Sequence, residues 1–424
     1  MLNHRNTDQF DIIVIGGGPA GMMAAGRAAE CGAKVLLLEK TYRLGSKLLL
    51  TGGGKCNITN NAEMKDMIAA FGKDGKFLYK ALTVFSSKDL INFFLLRGLP
   101  MRSEPDGRVL PLNNNAAVVL AVLRKYLKEN KVHLLHNTTA AAIQYGSKKK
   151  ENIKGAVLSD GSLVQATKLI IATGGKSYPA TGSTGEGYEI AKQSGHTIKA
   201  LRPGLSALIS NFAFIKDLQG LTLEDIAISV IIDGKKKSEK KGGLLFTHFG
   251  VSGPIVLNLS GEIVDALLNM NKVELSLNLR PGFGPQEFDK KLQKEFIAFG
   301  SRTVSQYFKS VLPASLSSVF EKIFSAAANK KCSMVGREER KLIAERFTDL
   351  RIPIIGSRPI EEAMITRGGV ALKELDPRTM ESRKVRGLYF CGEVLDLAGM
   401  TGGYNLQEAF STGYLAGESA AYGL

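Results

Sequence analysis

Three glycines and one acid carry the most explicit chemistry in this chain of 424 residues. Gly16, Gly18 and Gly21 follow the apolar run 11–15 at the spacing G-x-G-x-x-G, and Glu39 closes a second apolar run, 35–38. Gly16 permits a tight turn, Gly18 lets backbone N–H groups approach a pyrophosphate, and Gly21 brings a helix close to a strand. Pro19 and Ala20 begin that helix, whose positive dipole end faces the phosphates. Glu39 is placed to accept hydrogen bonds from an adenosine ribose, and its charge disfavours a 2′-phosphate. A dinucleotide is therefore expected, FAD or NAD before NADP.

Two further residues could move a proton. Cys56 lies in the loop T-G-G-G-K-C-N-I-T-N, where a thiol is either a small buried apolar group or a proton donor beside a flavin. Disulfide-reducing flavoenzymes place two cysteines in a comparable position, so with one present thiol exchange by that route is not expected. His248, in L-L-F-T-H-F-G-V-S-G-P, reads equally as a structural hydrogen-bonder or as a site residue. Arg102 and Arg108 are either surface residues or grips for an anionic substrate. Cys31, Cys56, Cys332 and Cys391 form no C-x-x-C pair and no cluster with histidine, which argues against a metal centre or a disulfide framework. A reducing cytoplasm suits them.

The elements that must position these groups read as a βαβ unit over 11–39, a helical stretch over 76–98 and a helix over 116–129. Period-two patterning then predicts short strands over 132–135, 140–145, 153–159 and 163–166, followed by the apolar strand 167–172 ending in A-T-G-G. That strand returns beside the first one, where its glycines, Gly174 and Gly175, leave space for a cofactor. No second G-x-G-x-x-G follows any strand, so a nicotinamide donor would have to dock transiently. Near Arg202-Pro203 the composition shifts to β-branched runs (227–232, 273–278), and helices follow over 287–298, 315–327 and 337–347, with another starting at 252–254.

The fold class expected is α/β: a Rossmann-like FAD-binding domain of the two-dinucleotide-binding-domain flavoprotein type, with an inserted β-barrel plus helical domain. The divisions fall at 1–200 and 356–424 for the cofactor domain and 201–355 for the insert, a substrate domain with its helical piece at about 284–349. An apolar strand ending in Gly392-Glu393 and a helix start at Gly403-Tyr404-Asn405-Leu406 resemble the third FAD contact. An acid there binds the ribityl chain, and the helix N-terminus faces the flavin pyrimidine.

The formal charge is +16, spread along the chain rather than gathered in a tail. So large an excess invites a polyanionic partner. Its local runs are 148–150 and 235–237 with Lys240 and Lys241, the second following an Asp233-Gly234 hairpin turn, where lysines either are simply solvated or grip phosphates. The polar residues 1–9 run straight into the first strand and leave no room for a signal peptide, and no apolar stretch approaches the length of a membrane span. A cytoplasmic location without membrane association is expected.

Taken together, the loop T-G-G-G-K-C-N-I-T-N, the segment around His248, T-R-G-G-V and G-E-V-L-D…G-G-Y-N-L-Q resemble the BaiN-like (YhiN-type) flavoproteins, a branch of the glutathione-reductase-like FAD proteins, over essentially the whole chain. The resemblance implies FAD contacts at Gly16, Gly18, Pro19, Ala20 and Gly21, at Glu39 and Lys40, and at Lys47, Gly53 and Gly54. It implies further contacts at Thr173 and Gly174, at Gly392, Glu393 and Asp396, and at Gly403, Tyr404, Asn405 and Leu406. Members act on unlike substrates, so it implies an FAD-dependent oxidoreductase reducing an activated C=C bond, with a uridine of ribosomal RNA favoured and dihydrouridine as product. A small-molecule oxidase or enone reductase acting on an aminoketone or steroid-like substrate is the alternative, and a flavin-containing RNA-binding protein without turnover is a third. NAD(P)H would be the transient electron donor. Cys56 stands first as proton donor, with His248 and Tyr404 behind it.

Overall fold

A computed structural model describes residues 9–146 and 152–423. The lysine run 148–150 lies outside them. The chain divides into two compact units, Met1–Arg202 with Ile360–Leu424, and Pro203–Pro359.

The first unit is built on a parallel sheet. Strand β1 (Phe10–Ile15) is nearly all apolar and buried on both faces, as a strand covered by helices must be. The helix α1 (Pro19–Glu30) carries the chain over to β2 (Val35–Leu38), and Ile12 to Ile15 of β1 pair in parallel with Val35 to Leu38. Outside β2 lies β3 (His133–Leu135). On the other side β1 meets β6 (Leu163–Ile171), which in turn pairs with Leu388–Phe390. Strands β4 (Ala140–Tyr145) and β5 (Ile153–Leu158) form an antiparallel meander with the first half of β6.

Two sequence expectations are corrected here. Residues 163–172 are not two strands but one, because L-V-Q-A-T-K-L-I-I contains no Gly, Pro or Asn at which to turn, and the same strand serves the meander with its first half and the parallel sheet with its second. The stretch 76–98 is not continuous either: it breaks into a 3-10 turn Gly72–Leu78 and helices Tyr79–Val84 and Ser87–Leu95. At the break the Ser86 hydroxyl accepts from the Asp89 N–H at 3.3 Å while the Asp89 carboxylate accepts from the Ser86 N–H at 2.8 Å. That reciprocal pair starts a new helix more favourably than continuing the old one.

The C-terminal helix Tyr404–Tyr422 packs directly on α1. A Cβ added at Gly413 would lie 2.4 Å from the Ala20 carbonyl oxygen, and one at Gly417 2.3 Å from that of Ala24, so backbone meets backbone with no side chain between. The run of alanines along α1 is the other half of this contact.

In the second unit six antiparallel strands close into a barrel, in the order Leu208–Ser210, Gly250–Ser252, Lys235–Phe246, Thr222–Ile232, Val273–Asn278 and Leu350–Ser357. Asp233 and Gly234, at φ +48 and +77, make the tight turn of its longest hairpin. A helix Pro254–Leu268 carries Pro at its first position. Between the last two barrel strands the chain inserts helices Pro285–Phe299, Val304–Val311, Ala314–Ile323 and Arg337–Thr348, joined by edge-on and tilted contacts among Phe288, Phe308, Phe320 and Phe347. The expected helix 315–327 is interrupted at Phe324, and Val304–Val311 carried no expectation. Among the described residues no helix is long and apolar enough to cross a membrane.

Two substitutions test this architecture. Gly417→Ala, which forces a methyl against the Ala24 carbonyl, is expected to cost about 1–3 kcal/mol of stability in urea unfolding. Ser86→Ala, which removes a cap and no packing, is expected to cost about 1 kcal/mol. Equal and negligible costs would mean that neither contact orders its helix.

Candidate active site

A groove of about 1270 Å3, counting the part open to solvent, runs past the carboxyl ends of β1, β2 and β6. Its place is where open α/β sheets bind nucleotides. Its walls come from the first unit: residues 15–20, 38–40, 45–48 with Thr51, 138–140, 172–174, 181–183 with Glu186 and Ile190, 364–365, Glu393, 405–406 and 408–409.

The glycine turn is shaped by contact as well as by conformation. At Gly16, φ is +108 and a Cβ would lie 2.5 Å from the Ala172 carbonyl oxygen, which fastens the end of β1 to the end of β6. Gly21 touches the Gly16 carbonyl in the same way and does not itself line the groove, whereas Gly18 borders open space. Glu39 is buried at the groove wall, with one carboxylate oxygen accepting from the Gly17 N–H at 2.8 Å and the other from the Thr41 N–H and hydroxyl, both at 2.7 Å. Those bonds fix the carboxylate before any ribose arrives. Lys40 donates to Thr184 and Glu186 across the groove rim.

Lys47 and Glu393 form the central ion pair. The Lys47 ammonium lies 2.6 Å from Glu393 and 2.7 Å from the Ser177 hydroxyl. The second Glu393 oxygen accepts from the Thr366 N–H at 2.8 Å and from Ser177 at 3.2 Å. Asn405 lines the groove while its amide ties down the backbone of Gly399 and Met400. Gly403, at φ +98, is required because a Cβ there would lie 2.2 Å from the Thr59 carbonyl oxygen.

Of the candidates for proton transfer, neither Cys56 nor Tyr404 is among the residues that line the groove. Cys56 is fully buried at φ +58, burial pushes its thiol up to about 12, and it does not line the groove. From its loop the groove takes Thr51, while Gly53 and Gly54 are left-handed turn residues off the wall. Tyr404 is half-buried at the start of the C-terminal helix, next to lining residues Asn405 and Leu406, and burial raises its phenol above the usual range. His248 belongs to the second unit, exposed in a turn between barrel strands with its ring edge-on to Phe249. Gly392 and Asp396 lie off the wall as well; Gly392 donates its N–H to Thr412 at 3.0 Å, and burial raises the Asp396 carboxyl.

Several lining residues escaped sequence reasoning. The stretches 138–140 and 364–365 carry no glycine fingerprint and reach the wall only through the fold. The loop 181–186, T-G-S-T-G-E, is polar and glycine-rich and follows shortly after A-T-G-G, which is the signal the sequence offers for it. Glu408 was invisible because an acid in the second turn of a helix ordinarily faces water.

These residues fit FAD. Two helix N-termini, at Pro19 and Tyr404, open on or beside the groove, and each favours negative charge. Thr173 lines the groove, but its hydroxyl is turned away from it: the oxygen is buried against Gly187, where an added Cβ would lie 1.9 Å away. Among those residues no group of three or more His, Cys, Asp or Glu could hold a metal ion.

Comparisons with known proteins agree with this geometry. Residues 10–419 match the family model described as HI0933-like protein Rossmann domain. The chain is 30% identical to a 3-dehydro-bile acid delta(4,6)-reductase of Clostridium scindens over 96% of its own length and 98% of that protein. It is 31% identical to a ribosomal RNA dihydrouridine synthase of Escherichia coli, over 96% and 97% respectively. Among solved structures, a 3-ketosteroid-delta4-(5alpha)-dehydrogenase from Rhodococcus jostii shares the fold with a TM-score of 0.54 at 15% identity, covering 99% of this chain and 98% of that one. With its glycine turn, its fixed acid and its whole length accounted for, the chain belongs to the HI0933-like Rossmann-domain family of FAD-dependent oxidoreductases.

Proposed function

We propose that this oxidoreductase reduces the ring C=C bond of a uridine in ribosomal RNA, giving dihydrouridine. The observation that carries the choice of substrate is charge. The chain holds a net +16, and its longest barrel hairpin presents Lys235, Lys236, Lys237, Lys240 and Lys241, all exposed, with only Lys236 in a salt bridge among the described residues, to Glu239. Phosphate neutralisation supplies much of RNA affinity, whereas a steroid-like enone would gain little from such a surface. Likeness to a ribosomal RNA dihydrouridine synthase over nearly the full chain supports the same reading. Reduction of a small enone is the second reading, supported by the equal likeness to the bile acid reductase.

Bound FAD would supply a hydride to one carbon of the polarised double bond. The protein's share is to hold the cofactor and deliver a proton to the neighbouring carbon. Glu39 would hold the ribose, the turn at Gly16 to Gly18 the pyrophosphate, and Lys47 with Glu393 the ribityl chain. For the proton, the half-buried Tyr404 is placed ahead of Cys56 and His248 in this reading. Its phenol keeps its proton at neutral pH, and it adjoins the groove wall. Cys56 is also protonated but sealed from the groove, so it would need the loop 51–56 to move. Electrons would come from NAD(P)H docking transiently, in the cytoplasm where ribosomes are made.

Two experiments test the reading. Dihydrouridine mapped by mass spectrometry in ribosomal RNA from a deletion strain should disappear at one position and return on complementation. An unchanged map, with turnover of a steroid-like enone by the purified protein, would favour the second reading. Tyr404→Phe should lower the rate of substrate reduction by about 10²–10⁴ and leave the bound-flavin spectrum intact, while Cys56→Ala should leave that rate within a small factor of the parent. The reverse ranking would return the proton to Cys56.

A further inference from the structure

Glu408 is a carboxyl group without a cation. It sits in the second turn of the C-terminal helix, only 4% exposed, and it lines the groove. Among the described residues its one side-chain neighbour within hydrogen-bond reach is Thr412, whose oxygen lies 3.4 Å from the Glu408 carboxyl. The single proton of that hydroxyl is directed at the Glu408 backbone carbonyl at 2.7 Å, and the same oxygen accepts from the Gly392 N–H at 3.0 Å. Thr412 therefore has little to give the carboxyl.

The titratable groups facing Glu408 are all acids. From the segment after strand Leu388–Phe390 come Cys391, fully buried with its thiol raised by burial, and Glu393. Glu393 is already satisfied by Lys47, Ser177 and Thr366, so Lys47 is spent on it. From α1 come Pro19 and Ala20, which carry no charge and share the groove wall with Glu408. Burial, and then the charge of Glu393, lift the Glu408 carboxyl to about 8. At neutral pH it is a carboxylic acid with an O–H that the protein does not use.

We propose that Glu408 enters the FAD complex as a neutral acid, donating its proton to an oxygen of the bound cofactor, so that FAD binding is linked to one protonation. The donor lines the same groove as the residues that begin α1, which would hold the pyrophosphate, and an ionised carboxylate there would oppose an anionic ligand with no cation beside it to screen it. The inference rests on FAD as the ligand of the groove and is independent of which substrate is reduced.

The test is the dissociation constant of FAD from apoprotein, followed by flavin fluorescence from pH 7 to 9.5. In the parent protein it should be level below about pH 8 and rise by up to about tenfold per pH unit above it. In Glu408→Gln, which keeps an amide donor that cannot ionise, the same curve should be flat apart from the flavin's own titration. Titration calorimetry of the parent at pH 8.5, in two buffers of different ionisation enthalpy, should show net proton uptake and needs no variant. Parallel curves for parent and variant, or no proton uptake, would overturn the proposal.

Discussion

The contact on which the rest depends is the one between α1 and the C-terminal helix, where backbone meets backbone at Gly413 and Gly417. Gly413 and Gly417 lie against the carbonyls of Ala20 and Ala24, and Gly392 against Ala20. Only glycine and alanine allow two helices to meet this closely, and the closeness brings elements nearly four hundred residues apart in sequence to one groove. The N-terminus of α1 lies at the wall beside Gly18, and that of the C-terminal helix at Asn405 and Leu406. Both bring backbone N–H groups and a positive dipole end toward the site of an anionic ligand. A larger residue at either glycine would cost packing energy and would also move one helix end relative to the other.

A second constraint is electrostatic. A site for a pyrophosphate would ordinarily exclude carboxylates, yet this groove is lined by Glu39, Glu393 and Glu408, with Glu186 at its rim. Each is accommodated differently. Backbone N–H groups and a hydroxyl hold Glu39, the Lys47 ammonium neutralises Glu393, and Lys40 neutralises Glu186. Glu408 is left with its proton. Four acids thus stand at the groove wall and rim without their negative charge adding up there.

How much of this could be read from the sequence follows from how local each cause is. The turn at Gly16, Gly18 and Gly21 with Glu39 was legible because its geometry is set within one βαβ unit, and the helix Ala116–Glu129 because Asn115 caps a clean apolar stripe. The break at Ser86 was equally local, written as Ser86-x-x-Asp89, but the apolar residues on either side keep a helical spacing that hides it. The single strand β6 was cut in two because its role changes halfway along, although its backbone does not. Residues 138–140, 364–365 and Glu408 could not be found this way at all. They reach the groove through long-range packing, and Glu408 is buried only because Gly413 and Gly417 draw its helix down on α1.

The same division bears on substrate. The walls described for the groove belong to the unit formed by the two ends of the chain. Two relatives of equal identity over nearly the whole chain carry names with unlike substrates, a bile acid and a ribosomal RNA. One family thus holds names with unlike substrates on a shared chain length. The groove residues constrain one another through the ion pairs and backbone contacts described above, so changing one disturbs several. The exposed barrel lysines are under no such mutual constraint, since most make no salt bridge and a surface charge can be exchanged at little cost in stability. Selection for a new substrate can therefore act on surface charge while the cofactor groove stays fixed, which is why charge rather than the groove is the better guide to what this chain reduces.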